Sequence, residues 1–210
     1  MILIGQYDSP FVRRVGIALK LYELPFEHQP WSTFGEGDRI AAYNPLRRVP
    51  TLVLASGEVL IESTAILDYL DEWVGPGKAM VAMRGPERRH VLKICALATG
   101  LADKAVSLLY EHVLRKKKAS KIWVDRCEAQ IGGVLELLEK ERAAVKTPYW
   151  FGTHIGHADI AVACVLRFAG EAHPQLFDTA RYPALAAHAA HCEALPAFVE
   201  IVQPLAPPKG

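Results

Sequence analysis

The hydrophobic and polar positions of the first third of the chain predict short strands separated by helices. Residues 2–5 form a short apolar run that is typical of a buried strand. Residues 11–21 carry apolar side chains at helical spacing, with Ser9 suited to the N-cap and Pro10 to the first helical position. Residues 26–29 are expected to form a second strand. A strand, a helix and a strand in this order imply a parallel pair.

The next stretch predicts an antiparallel hairpin between two helices. Residues 51–54 and 59–61 are apolar and partly β-branched, and Ser56 and Gly57 between them favour a turn. Residues 38–43 are compatible with a short helix before the hairpin, and residues 64–74 with a helix after it. Residues 1–78 are therefore predicted to form a βαβαββα domain.

The pattern changes after Gly75-Pro76-Gly77. Residues 80–86 are expected to form a linker, and every later apolar pattern is helical. The predicted helices are residues 88–116, 122–144, 159–168, 183–191 and 196–202. Pro204, Pro207 and Pro208 favour an irregular tail. Residues 86–210 are therefore predicted to form an all-helical domain.

Composition and charge exclude several functional classes. The 210 residues are 51% hydrophobic and 22% charged, which is sufficient for a large core. The formal net charge of +1 gives no electrostatic case for nucleic acid or for an anionic membrane. The first residues lack the features of a signal peptide, and no apolar run approaches ~18 residues. We therefore expect a cytoplasmic protein.

The cysteines and histidines of the second half predict neither disulfides nor a metal site. Four cysteines lie far apart within helical patterns, so we expect reduced, buried thiols. His188 and His191 lie three residues apart with Cys192 beside them, but no spacing supplies the further ligands that a metal ion needs.

The hairpin region carries candidate chemistry at both of its ends. Pro50 precedes the first strand and disfavours helical backbone at Val49, so the N–H and C=O groups of Val49 are expected to point away from the hairpin. An extended peptide can pair with such groups. Glu62 and Ser63 lie where the hairpin meets the next helix, and a helix N-terminus is a ready anion site.

Two stretches resemble the cytosolic glutathione transferases. NPLRRVPTLV, followed by a turn and ESTAI, is similar to the glutathione-binding half of that family, and YDSPFVRRVGIAL is similar to its first strand and helix. The resemblance extends over nearly the whole chain and is closest to serine-type, bacterial-like members. It implies a thioredoxin-like α/β domain, an all-α domain and a homodimer. It also implies transfer of glutathione, as a co-substrate and without a metal, to small hydrophobic electrophiles.

The resemblance assigns roles to individual residues. Ser9 would donate a hydrogen bond to the glutathione thiolate, although a role in capping alone and a donor role for Tyr7 both remain open. Val49 and Pro50 match a cis V-P pair whose valine main chain holds the cysteinyl part of glutathione. Glu62 and Ser63 match the pair that binds the γ-glutamyl end, with a plain helix cap as the alternative.

Other positions carry weaker expectations. Phe11, Tyr110 and His112 are candidates for the second-substrate pocket, which the sequence does not separate from core packing. Asp103 falls where some family members extend a carboxylate across the dimer, but a surface charge explains it equally well. Arg47 and Arg48 lie near the expected glycyl end of glutathione, where a solvated loop charge is the alternative.

Two functional alternatives stay open from the sequence. One is a non-catalytic binding or regulatory protein on the same fold, because fold alone does not decide function. The other is a glutathione-dependent peroxidase or isomerase that uses the same thiolate. A further motif concerns folding: residues 155–160 resemble the family's capping box, with Gly156 in place of the usual hydroxyl residue and Asp159 retained.

Overall fold

The computed structural model describes residues 1–208, which form a four-stranded sheet with three helices followed by five further helices. The elements are β1 (Ile2–Ile4), α1 (Pro10–Leu21), β2 (Glu27–Gln29), α2 (Gly37–Ala41), β3 (Thr51–Val53), β4 (Val59–Ile61), α3 (Ser63–Val74), α4 (Pro86–Arg115), α5 (Lys121–Ala144), α6 (His157–Ala172), α7 (Pro183–Glu193) and α8 (Pro196–Glu200). A short 3₁₀ turn, Lys116–Lys118, follows α4. This is the predicted architecture of a thioredoxin-like unit followed by an all-helical unit.

The sheet has the strand order β2-β1-β3-β4. β1 and β2 are parallel and β3 and β4 are antiparallel, as the sequence predicts. The antiparallel pairing of β1 with β3, which joins the two pairs into one sheet, was not predicted. The hairpin turn requires Gly57, whose φ of 87° lies in the left-handed region. The register pairs Thr51 with Ile61, so Pro50 and Glu62 come next to each other at one end of the hairpin.

Helix α1 lies between the sheet and the helical unit. Val12, Val15 and Leu19 pack into the core beneath the sheet, and Ile17 packs into a second cluster with Ile160 of α6 and Phe198 of α8. Because α1 is covered on both sides, the positions of Ser9 and of the cleft beside it are fixed by the packing of two cores.

The start of α6 confirms half of the expected capping box. The N–H of Gly156 donates to Asp159 Oδ2 at 2.9 Å, and Ile155 packs against the cluster that contains Ile160. Glycine has no side chain to complete the reciprocal bond. The four cysteines are free and buried, as the sequence predicts.

Within residues 1–208, no helix is long and apolar enough to cross a lipid bilayer.

Candidate functional site

Ser9 caps α1 and faces a cleft. Its Oγ accepts a hydrogen bond from the Val12 N–H at 3.4 Å, and Pro10 is the first helical residue, as the sequence predicts. A serine Oγ that accepts one hydrogen bond still has its own O–H to donate. The hydroxyl can therefore donate into the cleft while it caps the helix.

Val49 presents unpaired backbone groups beside the same cleft. The Val49–Pro50 peptide bond is cis, as the resemblance implies. Between residues 1 and 208, neither the N–H nor the C=O of Val49 makes a backbone hydrogen bond. The preceding loop is held by buried Asn44, whose Nδ2 donates to the Arg48 carbonyl at 2.9 Å. Val49 thus has free groups for an extended peptide.

Gly5 allows this loop to approach β1 closely. Its φ is 130°, and a Cβ added there would lie 2.6 Å from Val12 Cγ2 and 2.8 Å from Val49 Cβ. Only glycine fits between these two side chains. The apolar run of residues 2–5 predicts a strand that includes Gly5, but β1 ends at Ile4 and no sequence pattern indicates the close approach at Gly5.

The cleft has a volume of about 550 Å³ and lies between the α/β unit and α4. Ser9, Phe11 and Val49 line it from one side, and Val106 and Tyr110 of α4 line it from the other. Phe34, which is 53% exposed, packs edge-to-face on Tyr110 with ring centroids 5.2 Å apart. The cleft therefore offers an apolar wall next to the Ser9 hydroxyl.

The N-terminus of α3 differs from the sequence prediction. The N-cap is Glu62 and not Ser63: the Glu62 carboxylate accepts from the N–H groups of Ser63 and Thr64 at 2.9 and 3.1 Å. Ser63 is the first helical residue and is fully buried. Glu62 has a φ of 71°, which is a strained conformation for a residue with a side chain and one that often marks functional sites.

Tyr7 lies outside the residues that line the cleft. Its ring stacks on His28 with centroids 3.8 Å apart, and burial together with Glu200 raises its pKa to about 12. A raised pKa makes the hydroxyl a weaker proton donor to an anion. This geometry favours Ser9 over Tyr7 as the donor into the cleft.

The four residues with weaker expectations on α1 and α4 have different outcomes. Phe11 and Tyr110 line the cleft, but His112 is exposed and does not, which corrects its assignment to the pocket. The reason is helical geometry, since His112 lies about 200° around α4 from Tyr110. Asp103 lines the cleft of its own chain and pairs with Lys104 at 2.9 Å, so its position does not require a second copy.

Two arginines, Asp8 and the chain's tail add polar groups to the cleft. Arg47 and Arg48 line the cleft, with Arg47 also paired to Asp38 at 2.9 Å. Asp8 lines it too, and its carboxylate accepts from the Ala206 N–H at 3.1 Å. Burial raises the pKa of Asp8. No local pattern predicts a contact between residues 198 positions apart.

Comparison with protein families gives two matches. Residues 8–73 match the N-terminal domain of glutathione S-transferase, and residues 121–191 match its C-terminal domain. Among curated proteins, the uncharacterised GST-like protein YibF of Escherichia coli is 31% identical over 170 residues, covering 80% of this chain and 81% of YibF. A probable maleylacetoacetate isomerase of Vibrio cholerae is 28% identical, covering 95% and 94% of the two chains.

Solved structures match over almost the whole chain. A glutathione S-transferase from Methylobacterium radiotolerans in complex with glutathione sulfonate has a TM-score of 0.90 and 26% identity, covering 98% of this chain and 95% of that one. A glutathione transferase family member from Pseudomonas fluorescens with bound glutathione has a TM-score of 0.86 and 30% identity, covering 97% and 99%.

Proposed function

Because the chain belongs to the glutathione S-transferase family, we propose that it binds glutathione and transfers its thiolate to a small hydrophobic electrophile. The observation that carries this proposal is the position of Ser9. Its hydroxyl and the N-terminus of α1 face a cleft that also has free backbone groups at Val49 and apolar side chains on α4.

The chemistry demands a modest pKa shift. A free thiol titrates near ~8.5, and lowering that value by about 2 units requires about 2.7 kcal/mol. A hydrogen bond to an ionised sulfur supplies roughly 1.5–3 kcal/mol, and a helix N-terminus adds about 0.3–1 kcal/mol. Ser9 together with α1 can provide both contributions.

The remaining contacts hold the tripeptide and its reaction partner. The cysteinyl main chain would pair with Val49, next to Pro50, and the γ-glutamyl end would lie at Glu62 and Ser63. The second substrate would occupy the apolar side of the cleft, formed by Phe11, Val106, Leu109, Tyr110 and Phe168. We further propose that two copies of the chain form the working unit.

Two variants, Ser9→Ala and Tyr7→Phe, test which hydroxyl donates a hydrogen bond to the glutathione thiolate. We expect Ser9→Ala to raise the pKa of bound glutathione by about one unit or more and to lower turnover with an aryl halide by about tenfold, because a hydrogen bond to the thiolate is lost. The pKa is read from the pH dependence of thiolate absorbance. Binding of glutathione should change much less, because other groups hold the rest of the tripeptide.

Two outcomes would contradict the assignment. A shift with Tyr7→Phe but none with Ser9→Ala would make Tyr7 the donor. No shift with either variant would leave activation to backbone amides or water, with Ser9 as a helix cap only. A calorimetric titration showing no glutathione binding by the wild type would instead favour a non-catalytic protein on this fold.

A second candidate is glutathione-dependent isomerisation. Arg47 and Arg48 line the cleft and offer positive charge to a carboxylate-bearing substrate, and the Vibrio cholerae relative is named for such a substrate. A thiolate that adds to a carbon–carbon double bond, allows rotation and is then eliminated isomerises that bond with no net transfer. Turnover of a cis-enoic acid without consumption of glutathione would support this activity.

A further inference from the structure

Two neighbouring arginines on α1 are both buried but differ in their partners. Arg13 donates through Nε to the Ile201 carbonyl at 2.8 Å and through Nη2 to the Glu193 carboxylate at 2.7 Å. Arg14 is 3% exposed and, among the residues that the structure describes, donates only to Thr64 Oγ1, at 3.4 Å. Within residues 1–208, its Nε and Nη1 have no hydrogen-bond partner in the protein, and it forms no salt bridge.

A buried guanidinium without a carboxylate is costly. Burying an ion is unfavourable unless an opposite charge and hydrogen bonds offset the loss of hydration, and arginine is rarely buried unpaired. Consistent with this cost, burial lowers the pKa of Arg14. Packing alone does not explain the residue, because an apolar side chain of the same length would fill the space more favourably.

The side chain points to the N-terminus of α3. Thr64, which accepts the hydrogen bond from Arg14, is the second residue of α3. The N–H groups of Ser63 and Thr64 lie at the N-terminus of this helix, where anions bind. At present the Glu62 carboxylate occupies both N–H groups. The N-terminus of the 12-residue helix α3 and the buried guanidinium of Arg14 thus lie side by side, and the helix N-terminus already binds the Glu62 carboxylate.

We propose that Arg14 is a positioning residue for the γ-glutamyl carboxylate of glutathione, acting from beneath the N-terminus of α3 through Thr64. This inference rests on the proposed function. The ligand carboxylate takes the N–H groups of Ser63 and Thr64 and displaces the Glu62 side chain from them. Arg14 supplies the positive charge that favours this exchange, without touching the reacting sulfur.

Arg14→Met tests the proposal with two ligands that differ by one group. Calorimetric titration compares glutathione with γ-aminobutyryl-cysteinyl-glycine, which lacks only the γ-glutamyl α-carboxylate. We expect Arg14→Met to raise the dissociation constant of glutathione by at least about tenfold and that of the analogue by less than about twofold. Only glutathione carries the carboxylate whose attraction to Arg14 is lost. Arg14→Lys keeps a charge and should restore part of the preference.

Thermal unfolding separates this role from a structural one. Arg14→Met should keep or raise Tm, since an apolar side chain replaces an unpaired buried charge. Arg13→Met is the matched control: it removes the closer cationic partner of Glu193, leaving only Arg167 at 3.6 Å, so it should lower Tm without changing the preference between the two ligands. Should Arg14→Met fold poorly, Thr64→Val removes the one contact of Arg14 and should lower the preference in the same direction.

The outcomes are distinguishable. If Arg14→Met weakens the binding of both ligands equally, or leaves the affinity for glutathione unchanged, the positioning role is overturned. A lower Tm without a change in ligand preference would make Arg14 a structural residue only. Failure of the wild type to bind either ligand would contradict the proposed function itself.

Discussion

At the scale of single residues, His188 makes the stability of the protein depend on pH. It is 2% exposed on α7, with Asp159 Oδ1 3.6 Å and Cys192 Sγ 3.7 Å from its Nε2, and its ring meets Trp150 edge-to-face. Burial, with Arg142 and His191 nearby, lowers its pKa to about 4. The folded protein therefore holds His188 neutral where the unfolded chain becomes charged.

The sign of the effect follows from this difference. Below pH 6.5 His188 is protonated in the unfolded state but stays neutral in the folded state. The free energy of unfolding therefore falls as the pH drops from 6.5 to about 4. The loss is about 3 kcal/mol in total for this group. Urea unfolding of the wild type and of His188→Gln across this range measures it, and the difference between the two curves should shrink toward acid pH.

A matched variant controls for stability alone. Leu185→Ala removes a buried apolar side chain from the same helix and lowers the free energy of unfolding without removing a titrating group. Its pH curve should run parallel to that of the wild type. A parallel curve for His188→Gln as well would show that His188 does not cause the dependence.

At the scale of elements, the irregular tail after α8 closes one side of the cleft. Gln203 accepts from the Tyr7 N–H at 3.2 Å, and the N–H groups of Leu205 and Ala206 donate to Glu171 at 2.8 Å and to Asp8 at 3.1 Å. Leu205 and Ala206 also line the cleft. Two of these three bonds have a carboxylate as acceptor, and together they hold residues 203–206, which have no regular secondary structure.

Glu171→Ala should loosen this segment. We expect the KM of a hydrophobic second substrate to rise by about threefold or more, because a hydrogen bond to a carboxylate is lost at a partly exposed site. The glutathione dissociation constant should stay the same. Steady-state kinetics measures the first value and calorimetry the second.

Arg167→Ala is the control for this change. It breaks the ion pair of Arg167 with Glu171 at 2.9 Å but leaves the carboxylate that accepts from Leu205. An equal rise in KM with Arg167→Ala would assign the effect to the ion pair and not to the tail.

At the scale of the whole molecule, a buried polar network joins the α/β unit to the helical unit. The Tyr22 hydroxyl donates to the Asp71 carboxylate, the Met80 N–H donates to the Tyr22 oxygen at 2.9 Å, and His157 Nε2 lies 2.9 Å from Asp71. Burial opposes ionisation of Asp71, but the hydrogen bonds from His157 and Tyr22 outweigh it and lower its pKa. The network fixes α1, α3 and α6 relative to one another.

We expect the chain to assemble as a homodimer through the face shared by α3 and α4. Arg88 of α4 donates to Asp68 of α3 at 3.2 Å, and each of these helices carries a large exposed apolar side chain, Trp73 on α3 at 56% and Leu92 on α4 at 39%. We expect a second copy of the chain to cover these two side chains, because exposed apolar surface often marks protein interfaces. Sedimentation velocity at micromolar concentration should give about twice the 23.2 kDa of one chain.

Trp73→Glu should shift the protein to the monomer, because it places a charge in this interface. Val199→Glu makes the same kind of change at an apolar residue of α8 that is 62% exposed, and should leave the dimer intact. A wild type that sediments as a monomer would contradict the expected assembly.

The sequence by itself determined those features whose causes are local. Ser9 and Pro10 predict the start of α1 because capping uses atoms a few residues apart, and the hairpin follows from β-branched strands around Ser56 and Gly57. The periods of 3.6 and 2 residues likewise located most helices and strands to within a few residues.

Only the tertiary structure decided which side chains meet. Local capping preference favours Ser63, yet Glu62 is the cap because its backbone, coming from β4, turns its carboxylate onto the α3 amides. His112 shares a helix with Tyr110, but only the placement of α4 shows which of the two faces the cleft. Arg14 has a polar side chain that suggests exposure, and it is buried because the sheet, α3 and α6 surround α1. Such contacts join residues far apart in sequence, so no local pattern encodes them.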